Sequence, residues 1–189
     1  MSARTFGSRS KVNTGSLGKY QLDVTASDVA DLVRSAGGWL FDRSMAGWDV
    51  TVVVTGECDP LPLQILGITT DPREPDDDDS APTRALALAA STDAVHADPQ
   101  LRAQILGAMK RGIGDVLVWG NSWPEGIERG VEEVEHELSA AARAFKGHAL
   151  TALGLSETVD PVETFRGRVS ARAGYSDLTP SVATSLAQR

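Results

Sequence analysis

Carboxylate, amide and hydroxyl side chains follow three of the apolar runs in this sequence, and they are its best-placed ligand-binding groups. In a parallel sheet the carboxyl ends of neighbouring strands meet at one edge, where α/β proteins bind their ligands. Carboxylate oxygens gathered there would suit Mg²⁺ together with a phosphate-bearing ligand. The predicted ligand site comprises Asp71, Ser91, Asp93, Asn121 and Ser122.

Familiar catalytic motifs are incomplete in this chain. Gly120-Asn-Ser122-Trp-Pro124 follows a predicted strand, as a nucleophile elbow does, but Pro124 stands where the tight turn needs glycine. Glu133 and His136 have the spacing of one half of a di-metal carboxylate site, and no second half is found. The sequence therefore leaves the catalytic residues unknown and predicts no metal ligand, and Mg²⁺ is expected only if the protein is an enzyme.

Charge is distributed unevenly along the 189 residues, whose formal net charge is −8. An acidic chain is a poor candidate for broad binding to a phosphate backbone, which needs a surplus of Lys and Arg. Residues 1–19 nevertheless carry four positive charges and no acid, which predicts a flexible basic arm. Nucleic acid is a possible partner only through this arm. The predicted partner contacts are Arg4, Arg9, Lys11, Lys19 and the aromatic Trp123.

Cysteine content and hydropathy exclude several classes of protein. One cysteine, Cys58, excludes an intrachain disulfide framework and a multi-cysteine zinc site. No apolar run approaches the ~20 residues that a membrane-spanning helix needs, so no membrane partner is expected. No apolar segment follows the first basic residues, so export is not signalled and a cytoplasmic location is predicted.

Strand and helix patterns alternate in the middle of the chain, in the order β-α-β-β-β-α-β-α. Period-2 or β-branched runs predict the strands, and helical spacing of apolar residues predicts the helices. The predicted strands cover residues 20–24, 48–54, 63–68, 85–90 and 115–119, and the predicted helices cover 27–47, 98–112 and 127–153. This order favours a single three-layer α/β domain with a largely parallel sheet over residues 20–155. Residues 71–82 are predicted to be an acidic loop within it, and residues 156–189 a C-terminal segment or flexible tail.

One local string resembles a known family. Ala36-Gly-Gly-Trp-Leu-Phe and Ala46-Gly-Trp-Asp-Val-Thr-Val-Val-Val54 are similar to the opening of sugar-nucleotide glycosyltransferases. In that family a Gly-Gly-led helix ends in a glycine and leads into a hydrophobic strand. The chain is too short for the two large domains of such enzymes, so no function follows from the resemblance.

Because no catalytic constellation is complete, the sequence favours a non-catalytic α/β interaction protein. It would bind a protein partner or associate with a second copy of itself. The alternative is a phosphate-ligand or Mg²⁺-dependent enzyme that uses the carboxyl edge of the sheet.

Overall fold

The alternating apolar and amphipathic segments fold into strands and helices in the computed structural model. It describes residues 20–70, 85–112, 114–121, 130–170 and 177–181. The elements in chain order are β1 Gln21–Ala26, α1 Val29–Met45, β2 Asp49–Val54, α2 Leu61–Ile65, β3 Thr69–Thr70, β4 Ala85–Ser91, α3 Thr92–Ala97, α4 Pro99–Arg111, β5 Asp115–Trp119, β6 Glu132–Glu137, α5 Ala140–Ala152, β7 Val162–Arg168 and β8 Thr179–Pro180.

These strands form one sheet in the order β3-β2-β1-β4-β5-β7-β6-β8. The five strands from β3 to β5 are parallel, and β7, β6 and β8 add antiparallel pairs. The chain runs outward from β1 to β3 and then returns to place β4 on the other side of β1. Such a reversal of strand order is where open α/β sheets form ligand crevices.

Helices cover both faces of the sheet, which confirms the predicted three-layer α/β class. Leu117 and Trp119 of β5 pack into one core cluster, together with residues of α1, α2 and α5. Val116 and Val118, which point the opposite way, pack into a second cluster with residues of α3 and α4. This alternation is the period-2 pattern of a strand buried on both faces.

Side-chain caps fix where the helices α1 and α4 begin. Asp28 accepts a hydrogen bond from the Asp31 amide at 2.8 Å and so starts α1 just after β1. Asp98 accepts from the Gln100 amide at 2.7 Å, with Pro99 in the first turn, at the predicted start of the helix 98–112. These caps orient the first turns of both helices.

Three predicted elements differ in the structure. Residues 61–65 form the helix α2 rather than a strand, because Pro62 lacks an N–H and suits the first helical turn. Residues 127–153 are not one helix, since β6 precedes α5. The segment after residue 155 is not only a tail, because β7 is inserted between β5 and β6.

Several predictions concern residues outside the described ranges. They include the basic arm 1–19 with Arg4, Arg9, Lys11 and Lys19, the acidic loop 71–82, Trp123 and the last residues of the predicted C-terminal tail. Among the helices that are described, none is both long and apolar enough to cross a membrane.

Candidate functional site

A cavity of about 330 Å³ opens at the carboxyl edge of the parallel strands. The first turns of α1, the end of β5 and the start of β7 meet there, because β7 runs antiparallel to β5. This volume lies at the small end of the range for ligand pockets. The cavity is lined by Asp31, Arg34, Ser35, Trp119, Gly120, Asn121, Lys146, Asp160, Val162, Glu163 and Thr164.

The Asp31 carboxylate is held in a fixed orientation on the wall of this cavity. Its Oδ2 accepts a hydrogen bond from the indole Nε1 of Trp119 at 2.8 Å, and its Oδ1 accepts from the Ser35 hydroxyl at 3.3 Å. Trp119 is 3% exposed, so packing in the core fixes the position of its indole N–H. A carboxylate has about four acceptor positions, and these two bonds leave about two of them for a ligand.

A buried ion pair forms a second part of the wall. Lys146 Nζ lies 2.6 Å from Glu163 Oε1, and these side chains are 5% and 2% exposed. Glu163 also accepts from the backbone amides of Gly38 and Trp39, at 2.9 and 2.8 Å. Burial raises the pKa of Glu163, against the opposing effects of the Lys146 charge and of the hydrogen bonds from Lys146 and the two amides.

Arg34 is also engaged with a partner inside the protein. Its Nε donates to both carboxylate oxygens of Glu157, at 2.9 and 3.0 Å, on the exposed side of α1. The hydrogen bond to Glu157 raises the pKa of Arg34, and the same bond lowers that of Glu157. Both cationic residues of the cavity therefore have a carboxylate partner of their own. In contrast, Asn121 makes no hydrogen bond within the part of the chain that the structure describes.

The structure brings one of the sequence-predicted site residues into this cavity, namely Asn121. Ser91 lies at the same edge of the sheet, but its hydroxyl accepts from the amides of Ser27 and Ala94, at 3.3 and 3.2 Å. It thereby joins the ends of β1 and β4 to the start of α3. Asp93 is exposed on α3 and does not line the cavity. Asp71 and Ser122 lie outside the described ranges.

Sequence reasoning missed Asp31, Trp119, Asp160 and the Lys146–Glu163 pair. A signal was available for Asp31, since the first turn of a helix that follows a parallel strand lies at the carboxyl edge. Within the described residues, no group of three or more His, Cys, Asp and Glu side chains could hold a metal ion. Mg²⁺ is expected only if the protein is an enzyme, with Asp71 among the residues near it; Asp71 lies outside the described ranges, and the expectation stays a prediction.

A second polar group, in which Arg43 and Asp115 are buried, lies at the opposite edge of the sheet, where β5 begins. We call it the Arg43 cluster, and it consists of Arg43, Asp115 and Asp177 with the ring of Trp48. Arg43 Nη2 contacts a carboxylate oxygen of Asp177 and lies 3.7 Å from Asp115 Oδ2. Its guanidinium carbon lies 4.1 Å from the centre of the Trp48 ring. Burial raises the pKa of Asp115, although a hydrogen bond from Ser170 and the Arg43 charge act against it.

Replacing Asp115 with asparagine is expected to change the pH dependence of stability. A carboxyl whose pKa is higher in the folded state contributes stability below its unfolded pKa of about 3.9, and this contribution is lost as pH rises through the folded pKa. An asparagine side chain does not titrate, so this loss is absent in Asp115→Asn, and the variant gains stability relative to the native chain as pH increases from about 4. Urea unfolding at pH 4 to 7 measures the difference, with Glu137→Gln, an exposed site, as the control for removal of one charge. The prediction would be contradicted if the difference in free energy of unfolding between Asp115→Asn and the native chain stayed constant with pH.

Comparisons with known proteins give distant structural similarities. No family model matches the chain, and no curated protein matches it. A deacetylase of teicoplanin biosynthesis, solved in complex with teicoplanin, is 12% identical with a TM-score of 0.49, over 80% of this chain and 99% of that one. A triple mutant of a deacetylase of that pathway is 14% identical with a TM-score of 0.49, over 86% and 99%. The A40926 pseudoaglycone deacetylase Dbv21 is 16% identical with a TM-score of 0.48, over 82% and 100%.

These similarities are too distant to transfer a function to this chain. The matched proteins are nevertheless enzymes by their descriptions, which contradicts the sequence-based prediction of a non-catalytic, protein-binding module. That prediction is wrong.

Proposed function

We propose that this chain is an enzyme that hydrolyses an acyl group on a small polar substrate, with Asp31 as the general base. One observation carries the proposal: a carboxylate oriented by a buried indole N–H lies in a solvent-open cavity at the carboxyl edge of the sheet. A general base needs a fixed position and a free acceptor site toward the substrate, and the Asp31 carboxylate has both.

Two cavity residues have complementary roles in this proposal. Asp31 takes a proton from water while the water oxygen bonds to the acyl carbon. The side-chain amide of Asn121 donates to the oxyanion that forms, since preorganised amide donors stabilise such a charge. The C–N or C–O bond then breaks, and the proton passes from Asp31 to the leaving nitrogen or oxygen. The products are a carboxylic acid and an amine or alcohol.

Charge in the cavity favours a neutral, hydroxyl-rich substrate over a phosphate ester. Arg34 and Lys146 are each paired with a carboxylate of the protein, so neither is a free phosphate ligand. Asp31 and Asp160 are acidic and would repel a phosphate dianion. Carboxylate oxygens instead accept hydrogen bonds from hydroxyl and amide N–H groups.

Replacing Asp31 with asparagine tests the proposal. The substrates are a panel of N-acetylated amino sugars and acetate esters of simple sugars, and released acetate is the readout. We expect Asp31→Asn to lower kcat/KM by about 10²–10⁴-fold, which is the usual contribution of a general base.

Asp28→Asn is the matched control for this test. Asp28 caps the same helix but does not line the cavity, and asparagine is an equally good cap, so its activity should match that of the native chain. Acetate release that is unchanged in Asp31→Asn would overturn the proposal. So would a folded native chain that hydrolyses no member of the panel.

A cytoplasmic location and partner contacts through residues 1–19 stay predictions.

A further inference from the structure

The middle of α1 has a sequence that weakens helices. Gly37 and Gly38 are adjacent there, and glycine is among the least favourable residues in a helix interior. Packing explains the second of them, because a Cβ on Gly38 would lie 2.5 Å from Leu138 Cδ2. The helix nevertheless continues from Val29 to Met45. Contacts from outside the helix can offset the low helix propensity of this turn.

The Lys146–Glu163 pair supplies those contacts. In an ordinary α-helix the amide of residue 38 donates to the carbonyl of residue 34. Here the Gly38 amide donates to Glu163 Oε1 at 2.9 Å, and the Arg34 carbonyl accepts from Lys146 Nζ at 2.5 Å. The second Glu163 oxygen accepts from the Trp39 amide. The ion pair thus binds the two backbone groups that an ordinary helix joins to each other.

The supported turn leads directly to the cavity. Asp31, Arg34 and Ser35 lie on the turns of α1 just before Gly37, and Lys146 and Glu163 line the same cavity. Stability alone does not explain such a pair, since a buried ion pair is often no more stable than well-packed apolar residues. Its position points to a second role, which is to hold the N-terminal half of α1 in place against Trp119.

We propose that Glu163 is a positioning residue that fixes the start of α1 and, through it, the hydrogen bond between Asp31 and Trp119. The kinetic part of this inference rests on the proposed function. The structural part does not, because the Asp31–Trp119 bond has a signal of its own in the indole N–H of Trp119.

The test uses the ¹⁵N-labelled 189-residue chain, with the Trp119 indole signal assigned by Trp119→Phe. In Glu163→Gln we expect hydrogen exchange at the Gly38 and Trp39 amides and at the Trp119 indole to rise at least about tenfold. Exchange in α4, on the other face of the sheet, should not change. The kcat for acetate release should fall up to about 100-fold, the effect of a misplacement of about 1 Å, with a smaller change in KM.

Two further variants keep the inference falsifiable. The Lys146→Met/Glu163→Met double variant leaves no unpaired buried charge, so it should fold and should show the same faster exchange. Glu133→Gln breaks the more exposed ion pair between Glu133 and Arg166 and should change none of these signals. Unchanged exchange at the Trp119 indole in the folded double variant would overturn the positioning role. Faster exchange in a chain without acetate release would refute the proposed function alone.

Discussion

Replacement of Arg43 with leucine is expected to lower the free energy of unfolding by about 3–5 kcal/mol. The Arg43 and Asp115 side chains are 2% and 1% exposed, so water cannot replace the lost cation. Asp115 would remain as a buried carboxylate without the Arg43 charge, and Asp177 would lose its direct contact. The variant would also lose the stacking of the guanidinium on Trp48, which adds about 0.5–2 kcal/mol in such pairs.

Urea unfolding followed by circular dichroism measures this loss. Arg143→Leu is the matched control, because Arg143 lies on the exposed side of α5 and its replacement should change stability by less than about 0.5 kcal/mol. Adding Asp115→Asn to Arg43→Leu should recover part of the loss, since it removes the unpaired charge. A loss below about 1 kcal/mol in Arg43→Leu would show that the cluster tolerates an uncompensated carboxylate.

Replacement of Gly167 with alanine is expected to destabilise the fold by about 3 kcal/mol or more, the upper end of what overpacking costs. A Cβ at Gly167 would overlap the Val116 carbonyl oxygen and lie 2.9 Å from Leu117 Cα. Both obstacles are backbone atoms of β5, so no side-chain rotation can make room. The strands β5 and β7 would have to separate, which disrupts the pairing that joins the parallel and antiparallel parts of the sheet.

The same substitution at Gly147 should instead stabilise the fold. A Cβ there would lie 3.7 Å from Val159 Cγ2, an ordinary contact, and Gly147 is in the interior of α5. Alanine in a helix interior is about 1 kcal/mol more favourable than glycine. Thermal unfolding of the two variants separates the effect of the site from that of the residue change. A Gly167→Ala variant as stable as the native chain would contradict the expected clash.

Sequence patterns predict four of the five parallel strands, namely β1, β2, β4 and β5. The β-branched run of β2 is short and bounded by glycines, which predicts a strand. The apolar run of β5 is continuous because this strand is buried on both faces. The start of α4 is marked by Asp98 and Pro99, whose capping roles are local. A strand or helix start that depends only on its own residues can be predicted from the sequence.

The antiparallel strands are not recognisable in the sequence, because few of their core-facing residues are large and apolar. In β7 the buried positions are Glu163, Phe165 and Gly167, so only one of the three is a large apolar group. In β6 the buried His136 has its Nε2 3.0 Å from an Asp42 oxygen, and it looks like a polar surface residue in the sequence. Period-2 patterns of hydrophobicity cannot identify a strand whose core-facing residues are charged or small.

The candidate site depends on contacts between distant parts of the chain. Asp31 and Trp119 are 88 residues apart, and Glu163 lies 125 residues from Gly38. Local reasoning places Asn121 at the carboxyl edge of the sheet because it follows closely after a strand. It cannot show that Trp119 donates to Asp31, since that bond requires the strand order in which β4 lies between β1 and β5.

The two outermost strands of the described sheet bear on how this protein behaves at high concentration. β3 and β8 are only two residues long, and Pro180 in β8 has no N–H to offer. Long, flat edge strands template pairing with other chains, and short or proline-containing ones resist it. Within the described residues, the sheet therefore ends on both sides in strands that give an incoming molecule little backbone to extend, which disfavours edge-to-edge pairing there.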